Sequence, residues 1–226
     1  MRLLLCALLL LAACGRPLTP NEVVLAEALH GDEIDTSRVR LIDGNPGGSI
    51  TYTRPIRPRL TCQERIWPPS RGERVTVSPG ATVLFNTVLF RDDLFRDDFL
   101  QGFPEAVDLA DVMLIAHEFT HIWQWQNRRK TGYHPLRALR EHQVSEDPYL
   151  FEPESSTRFS DHGFEQQGAI VEEYVCCHLL DPKAPRTARL RDMIRAEMPI
   201  DRLQSVLDPA RVRMPWGGAK VDGICR

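Results

Sequence analysis

The feature that most constrains this chain is a helical pattern over residues 105–129 that keeps two histidines off its apolar side. Advancing about 100° per residue from His117, the side chains Val112, Ile115, Ala116, Phe119, Ile122 and Trp123 share one face about 120° wide. His117 and His121 project from the opposite side, about 40° apart. Such a helix must cover its apolar face with other elements, yet it also presents a polar stripe that core packing does not explain. The stripe reads His117-Glu118-Phe119-Thr120-His121. Histidines at i and i+4 can share one metal ion, and Glu118, about 100° round from His117, can reach a water on that ion without being a ligand. Zinc suits this donor type: it takes imidazole nitrogen readily, and in catalytic sites it keeps one position for water.

A third ligand is then required, and residues 163–180 form the best place to look. On a helix, Ala169, Glu172 and Cys176 share the stripe that carries Glu165, and Gly168 lies at its border. One stripe therefore joins carboxylates to tiny residues, which let a second helix approach closely. Glu165 is the expected ligand, with Glu172 placed to orient a histidine from behind. Glu172, Glu173 and Cys176 stay open as alternative ligands. For a group that would stabilise developing negative charge the candidates are Tyr149, His162 and Tyr174. His162 is preferred as a second catalytic residue because it immediately precedes the glutamate helix, whereas Tyr174 lies about 180° from Glu165.

The N-terminus reads as a targeting segment. Arg2 precedes an unbroken apolar run from Leu3 to Ala13, too short for a membrane span and laid out like a secretory signal. The run ends in Leu11-Ala12-Ala13-Cys14-Gly15, which resembles the lipobox of bacterial lipoproteins. That resemblance implies cleavage before Cys14, acylation of Cys14, and a membrane partner through that lipid anchor. It also implies an outer-membrane address in the bacterial cell envelope. The remaining cysteines, Cys62, Cys176, Cys177 and Cys225, suit an oxidising compartment and two disulfides. Adjacent cysteines rarely bond to each other, so Cys176 and Cys177 each reach for Cys62 or Cys225, with both pairings open.

The expected domains are a signal peptide at 1–13, a lipidated cysteine with tether and short helix at 14–40, and one catalytic domain at 41–226. Strand signals come first: 50–53, 74–77 and, strongest, a single strand at 82–90. Helix signals follow. Pro104 suits a first helical position, 131–160 reads as irregular, and shorter helices are expected at 185–197 and 199–207. Strands followed by helices indicate an α+β fold. The net charge of −3 shows no basic excess, so nucleic acid is not an expected partner.

The strings A-H-E-F-T-H-I-W-Q-W-Q and F-E-Q-Q-G-A-I-V-E-E-Y resemble a bacterial group of zincin metallopeptidases of the gluzincin type. The resemblance covers roughly residues 82–180. It implies a small zincin-like domain with a short N-terminal sheet, an active-site helix and a C-terminal glutamate-bearing helix. It also implies zinc on His117, His121 and Glu165, Glu118 as catalytic base, and a peptide or protein substrate. The position four residues after Glu165 is Ala169, where the family pattern has Asp, so the supporting role of Glu172 does not follow from the resemblance. The expected function is thus a zinc-dependent hydrolase of the metallopeptidase kind, anchored as an envelope lipoprotein. A non-catalytic envelope lipoprotein using the same scaffold for binding or assembly is the alternative.

Overall fold

The computed structural model describes residues 15–154 and 157–226; the leader expected at 1–13 and the acylation expected at Cys14 lie outside the described residues. The chain enters through helix α1 (Pro20–His30). Thr19 and Glu22 close its N-terminus reciprocally, each side chain taking the other's backbone N–H, with Pro20 in the first turn. Strands β1 (Arg40–Asp43) and β2 (Tyr52–Pro55), the one-turn helix α2 (Cys62–Arg65), and strands β3 (Arg74–Val77), β4 (Ala81–Leu84) and β5 (Thr87–Phe90) follow. Strand β6 (Ala106–Asp108) leads directly into the long helix α3 (Leu109–Gln126), followed by α4 (Arg128–Thr131) and α5 (Pro135–Val144). A second long helix, α6 (Phe164–Leu180), precedes α7 (Pro185–Arg195), α8 (Leu203–Val206) and strand β7 (Arg211–Arg213).

The sheets are small. One has the order β1-β5-β4, with β1 parallel and β4 antiparallel to β5. The others are the antiparallel pair β2-β3 and the parallel pair β6-β7. The fold is α+β, with small sheets and several helices. Its core lies between α1, the β5 sheet, α3 and α6, filled by Leu25, Phe90, Phe99, Phe119, Trp123 and Tyr174. Among the described residues no helix is long and apolar enough to cross a membrane.

Three expectations need correction. Residues 82–90 are not one strand: Phe85 adopts φ of 60°, and the chain reverses there into the β4-β5 hairpin. A bulky residue seldom occupies that region, so the run of strand formers conceals the turn. The histidine helix does not start at Pro104. Residues 106–108 pair instead with the distant β7, and Asp108 caps the helix by accepting from Ala110 and Asp111 N–H. The stretch 131–160 is not wholly irregular, because it contains α5. This helix leaves Leu136 and Leu139 exposed, so its apolar positions do not mark a buried face.

The disulfides settle the open pairing as Cys62–Cys176 and Cys177–Cys225. Both bonds leave α6, in diverging directions from consecutive residues, as the geometry of adjacent cysteines requires.

Glu22 ties the N-terminal segment to the core. Its fully buried carboxylate accepts from the Arg16 guanidinium at 2.7 and 2.8 Å, from Thr19 N–H at 2.8 Å and from Phe99 N–H at 3.0 Å. Glu22→Ala strands these donors and is expected to cost about 3 kcal/mol. Urea unfolding of the variant beside the wild-type protein checks this.

Candidate functional site

Helices α3 and α6 pack along their lengths, and the site lies in that seam. The polar stripe of α3 is buried: His117, Glu118 and His121 are each only 5% exposed, and α6 lies against the two imidazoles. The cover is close because of Gly168. A Cβ there would lie 2.7 Å from Cε1 and Nε2 of His117, so the imidazole occupies the space that any other residue would fill.

Three donor atoms converge across the seam. His117 Nε2 and His121 Nε2 are 3.1 Å apart, and Glu165 Oε2 lies 3.3 Å from the first and 3.2 Å from the second. These three residues could hold a metal ion, since their donor atoms all fall within 4.8 Å of one another and all three side chains are buried. Glu172 and Glu173, weighed as alternative ligands, are engaged elsewhere, and Cys176 is spent in a disulfide.

The far side of each ring faces an acceptor. His121 Nδ1 lies 2.8 Å from Gln124 Oε1, and the Gln124 amide donates in turn to Phe164 O at 3.1 Å and Gln167 Oε1 at 2.9 Å. His117 Nδ1 lies 3.4 Å from Glu172 Oε2, whose other oxygen accepts from Gln63 Nε2 at 2.8 Å. Acceptors behind both rings favour a proton on Nδ1, so that a ring, once neutral, keeps its Nε2 lone pair for the place where the three donors meet.

The glutamate helix is held from outside itself. Glu141 on α5 accepts from the backbone N–H of Phe164 and Glu165, at 2.9 and 3.1 Å, placing a carboxylate on the open N-terminus of α6. Its neighbour His142 reaches Glu165 Oε1 at 3.0 Å, so the Glu165 carboxylate is gripped at both oxygens. The Tyr149 ring packs 5.7 Å from His117 and 5.6 Å from His142.

Charge follows this geometry. Burial depresses the pKa of His117, but hydrogen bonds to Glu165 and Glu172 outweigh it and hold the ring well above its ordinary value. His121 is raised in the same way: Glu165 overcomes its burial. Burial pushes Glu165 up, yet His121, His117 and His142 hold it well below the usual carboxylate range. Glu118 has no such grip. Burial raises it, and the two histidines only partly offset that.

The sequence-derived residues His117, Glu118, His121, Glu165 and Glu172 thus meet at one place, and Tyr149 borders it. Tyr174 does not; its ring packs against His178. His162 stands just before α6 and lends its carbonyl to Gln167 Nε2 at 2.9 Å. Among the described residues no hydrogen bond joins His162 to the three converging donors. Sequence reasoning missed His142, Gln63 and Gln124. Only Gln124 left a local signal, lying three residues beyond His121 on the same helix.

No family model matches the chain. In sequence it is 27% identical over 167 residues to the type VI secretion system spike protein VgrG2b of Pseudomonas aeruginosa. That match takes in 72% of this chain but only 13% of the spike protein. Among solved structures, the effector domain of Pseudomonas aeruginosa VgrG2b aligns with a TM-score of 0.48 at 25% identity, covering 80% of this chain and 82% of that one. The sequence relationship overturns the reading as a zincin metallopeptidase carried on a lipoprotein. It runs to a secretion-system spike protein, whose name carries neither a peptidase nor a lipoprotein. The assignments as metallopeptidase and as non-catalytic zincin lipoprotein are both withdrawn. The physical reason is plain: two histidines one helical turn apart specify where donors point, not which reaction follows.

Gly168→Ala places a methyl group inside the His117 ring. It is expected to cost about 1–3 kcal/mol, as overpacking does. Chemical unfolding gives that figure, and a displaced His117 signal in the imidazole NMR spectrum identifies the cause.

Proposed function

We propose that the chain is an effector-type domain of the type VI secretion kind, built around a zinc-binding centre formed by His117, His121 and Glu165. The observation that carries the metal half is the meeting of three buried donor atoms, each imidazole backed by an acceptor at Nδ1. Nitrogen and oxygen donors of this kind suit zinc, and a three-residue set leaves a coordination position free. The secretion half is supported by the sequence likeness to the spike protein. The two disulfides favour an oxidising compartment, in keeping with an exported chain of the cell envelope.

The chain's own residues divide the work. His117, His121 and Glu165 would hold the ion, which when bound supplies Lewis acidity. Gln124 and Glu172 fix the ring tautomers, and His142 turns the Glu165 carboxylate so that one oxygen faces the histidines. Glu118, buried beside the two histidines on α3, holds a proton more readily than an exposed carboxylate does and offers an exchangeable one at its side-chain oxygens.

Elemental analysis of the purified protein is expected to find about one zinc per chain, the ratio of a single three-ligand centre. His117→Ala and Glu165→Ala are expected to lose it while keeping the wild-type circular dichroism spectrum. Absence of zinc after metal reconstitution would end the metal reading. For the secretion half, the chain directed to the periplasm of a bacterial host is expected to slow growth, and His117→Ala to relieve the effect. Equal growth with and without the chain counts against an effector.

A pH dependence follows from the charges. The folded, metal-free site favours protonated rings, since the pKa values of both histidines are raised. Zinc needs those rings neutral and must displace their protons. Apparent zinc affinity is therefore expected to rise with pH from 6 to 8. Calorimetry in two buffers of different ionisation heat is expected to show net proton release; proton uptake would contradict the charge assignment.

A further inference from the structure

The support behind His117 runs back to a disulfide. Cys62 and Cys176 are bonded across 114 residues, and both are fully buried. The bond pins the one-turn helix α2 to α6. A helix of four residues cannot hold itself in water, so its position is borrowed from what it is fastened to. A second fastening lies beside the first: Glu173 on α6 accepts from the backbone N–H of Cys62 at 2.9 Å and of Gln63 at 3.3 Å. With α2 so held, Gln63 Nε2 reaches Glu172 Oε1 at 2.8 Å, and Glu172 Oε2 stands 3.4 Å from His117 Nδ1. Only the Gln63 amide and the Glu172 carboxylate therefore separate the disulfide from a ring of the site. The other disulfide differs. It joins Cys177 to Cys225 in the C-terminal tail, which touches α2 through Arg65 and the Ile224 carbonyl at 2.8 Å.

We infer that the Cys62–Cys176 disulfide is a redox condition on the metal centre, with Gln63 as the positioning residue that transmits it. The inference rests on the zinc reading of His117, His121 and Glu165. In the reduced chain α2 is held by hydrogen bonds alone, Gln63 is placed less firmly against Glu172, and His117 presents Nε2 less reliably. Oxidation removes two electrons and two protons from the thiols of Cys62 and Cys176. A disulfide-bearing oxidoreductase takes them up and leaves as the dithiol. A chain made in a reducing compartment thus holds its metal weakly, and binding strengthens once the chain is exported.

The test uses the full chain: oxidised wild type, wild type kept reduced by a phosphine, C62A/C176A, C177A/C225A and Q63A. Zinc dissociation constants come from competition with a chromophoric chelator, the His117 tautomer from imidazole nitrogen NMR, and folding from circular dichroism. Reduced wild type, C62A/C176A and Q63A are each expected to bind about 10-fold more weakly or worse, the usual effect of losing a supporting partner. At a pH high enough to leave the ring neutral, the His117 signal in these forms is expected to show mixed tautomers, and C177A/C225A to stay close to wild type. Q63A keeps its disulfide and decides the matter if C62A/C176A fails to fold. Wild-type affinity in Q63A or in folded C62A/C176A overturns the inference and leaves the metal site standing. An equal loss in C177A/C225A overturns the assignment to the first disulfide. If oxidised wild type takes up no zinc, the metal reading itself fails, and the inference with it.

Discussion

The whole arrangement depends on how closely α6 can lie on α3. Gly168 sets that distance, because its missing side chain is the room in which the His117 ring sits. The close approach brings Glu165 to both imidazoles and places Gln167 against Gln124. The charge shifts at the site follow from burial, from the three-way contact across the seam, and from Glu172 and His142 behind it. Remove the close approach and the residues remain on their helices, but they no longer form a group.

Around this seam the protein gathers support from several elements. Helix α5 supplies Glu141 to the N-terminus of α6 and His142 to the Glu165 carboxylate. Helix α2 supplies Gln63 to Glu172. Helix α3 supplies its own Gln124 to His121. Each converging side chain is thus held by a further partner behind it. Donor groups aligned in this way spend little freedom when a ligand arrives.

What the sequence made legible was local. Helical spacing put His117 and His121 on one stripe and Glu165, Gly168 and Glu172 on another, because a period of about 3.6 residues is written directly into residue order. What it hid was tertiary. Nothing on α3 itself announces how deeply His117, Glu118 and His121 are buried. His142 and Gln63 lie on short helices whose positions come from contacts elsewhere, so no spacing rule links them to the site. Phe85 belongs by composition to a strand and by conformation to a turn. The likeness to zincins failed at a different level: it carried a reaction from a short motif, whereas the longer sequence relationship leads to a secretion-system spike protein.

The bonds from Cys176 and Cys177 leave α6 about 100° apart, as consecutive side chains on a helix must. Through them the four-residue helix α2 and the C-terminal tail, which cannot place themselves, take their positions from the helix that carries Glu165. Segments 114 and 48 residues away along the chain are thus indexed to the seam, with α6 as the reference against which each is set.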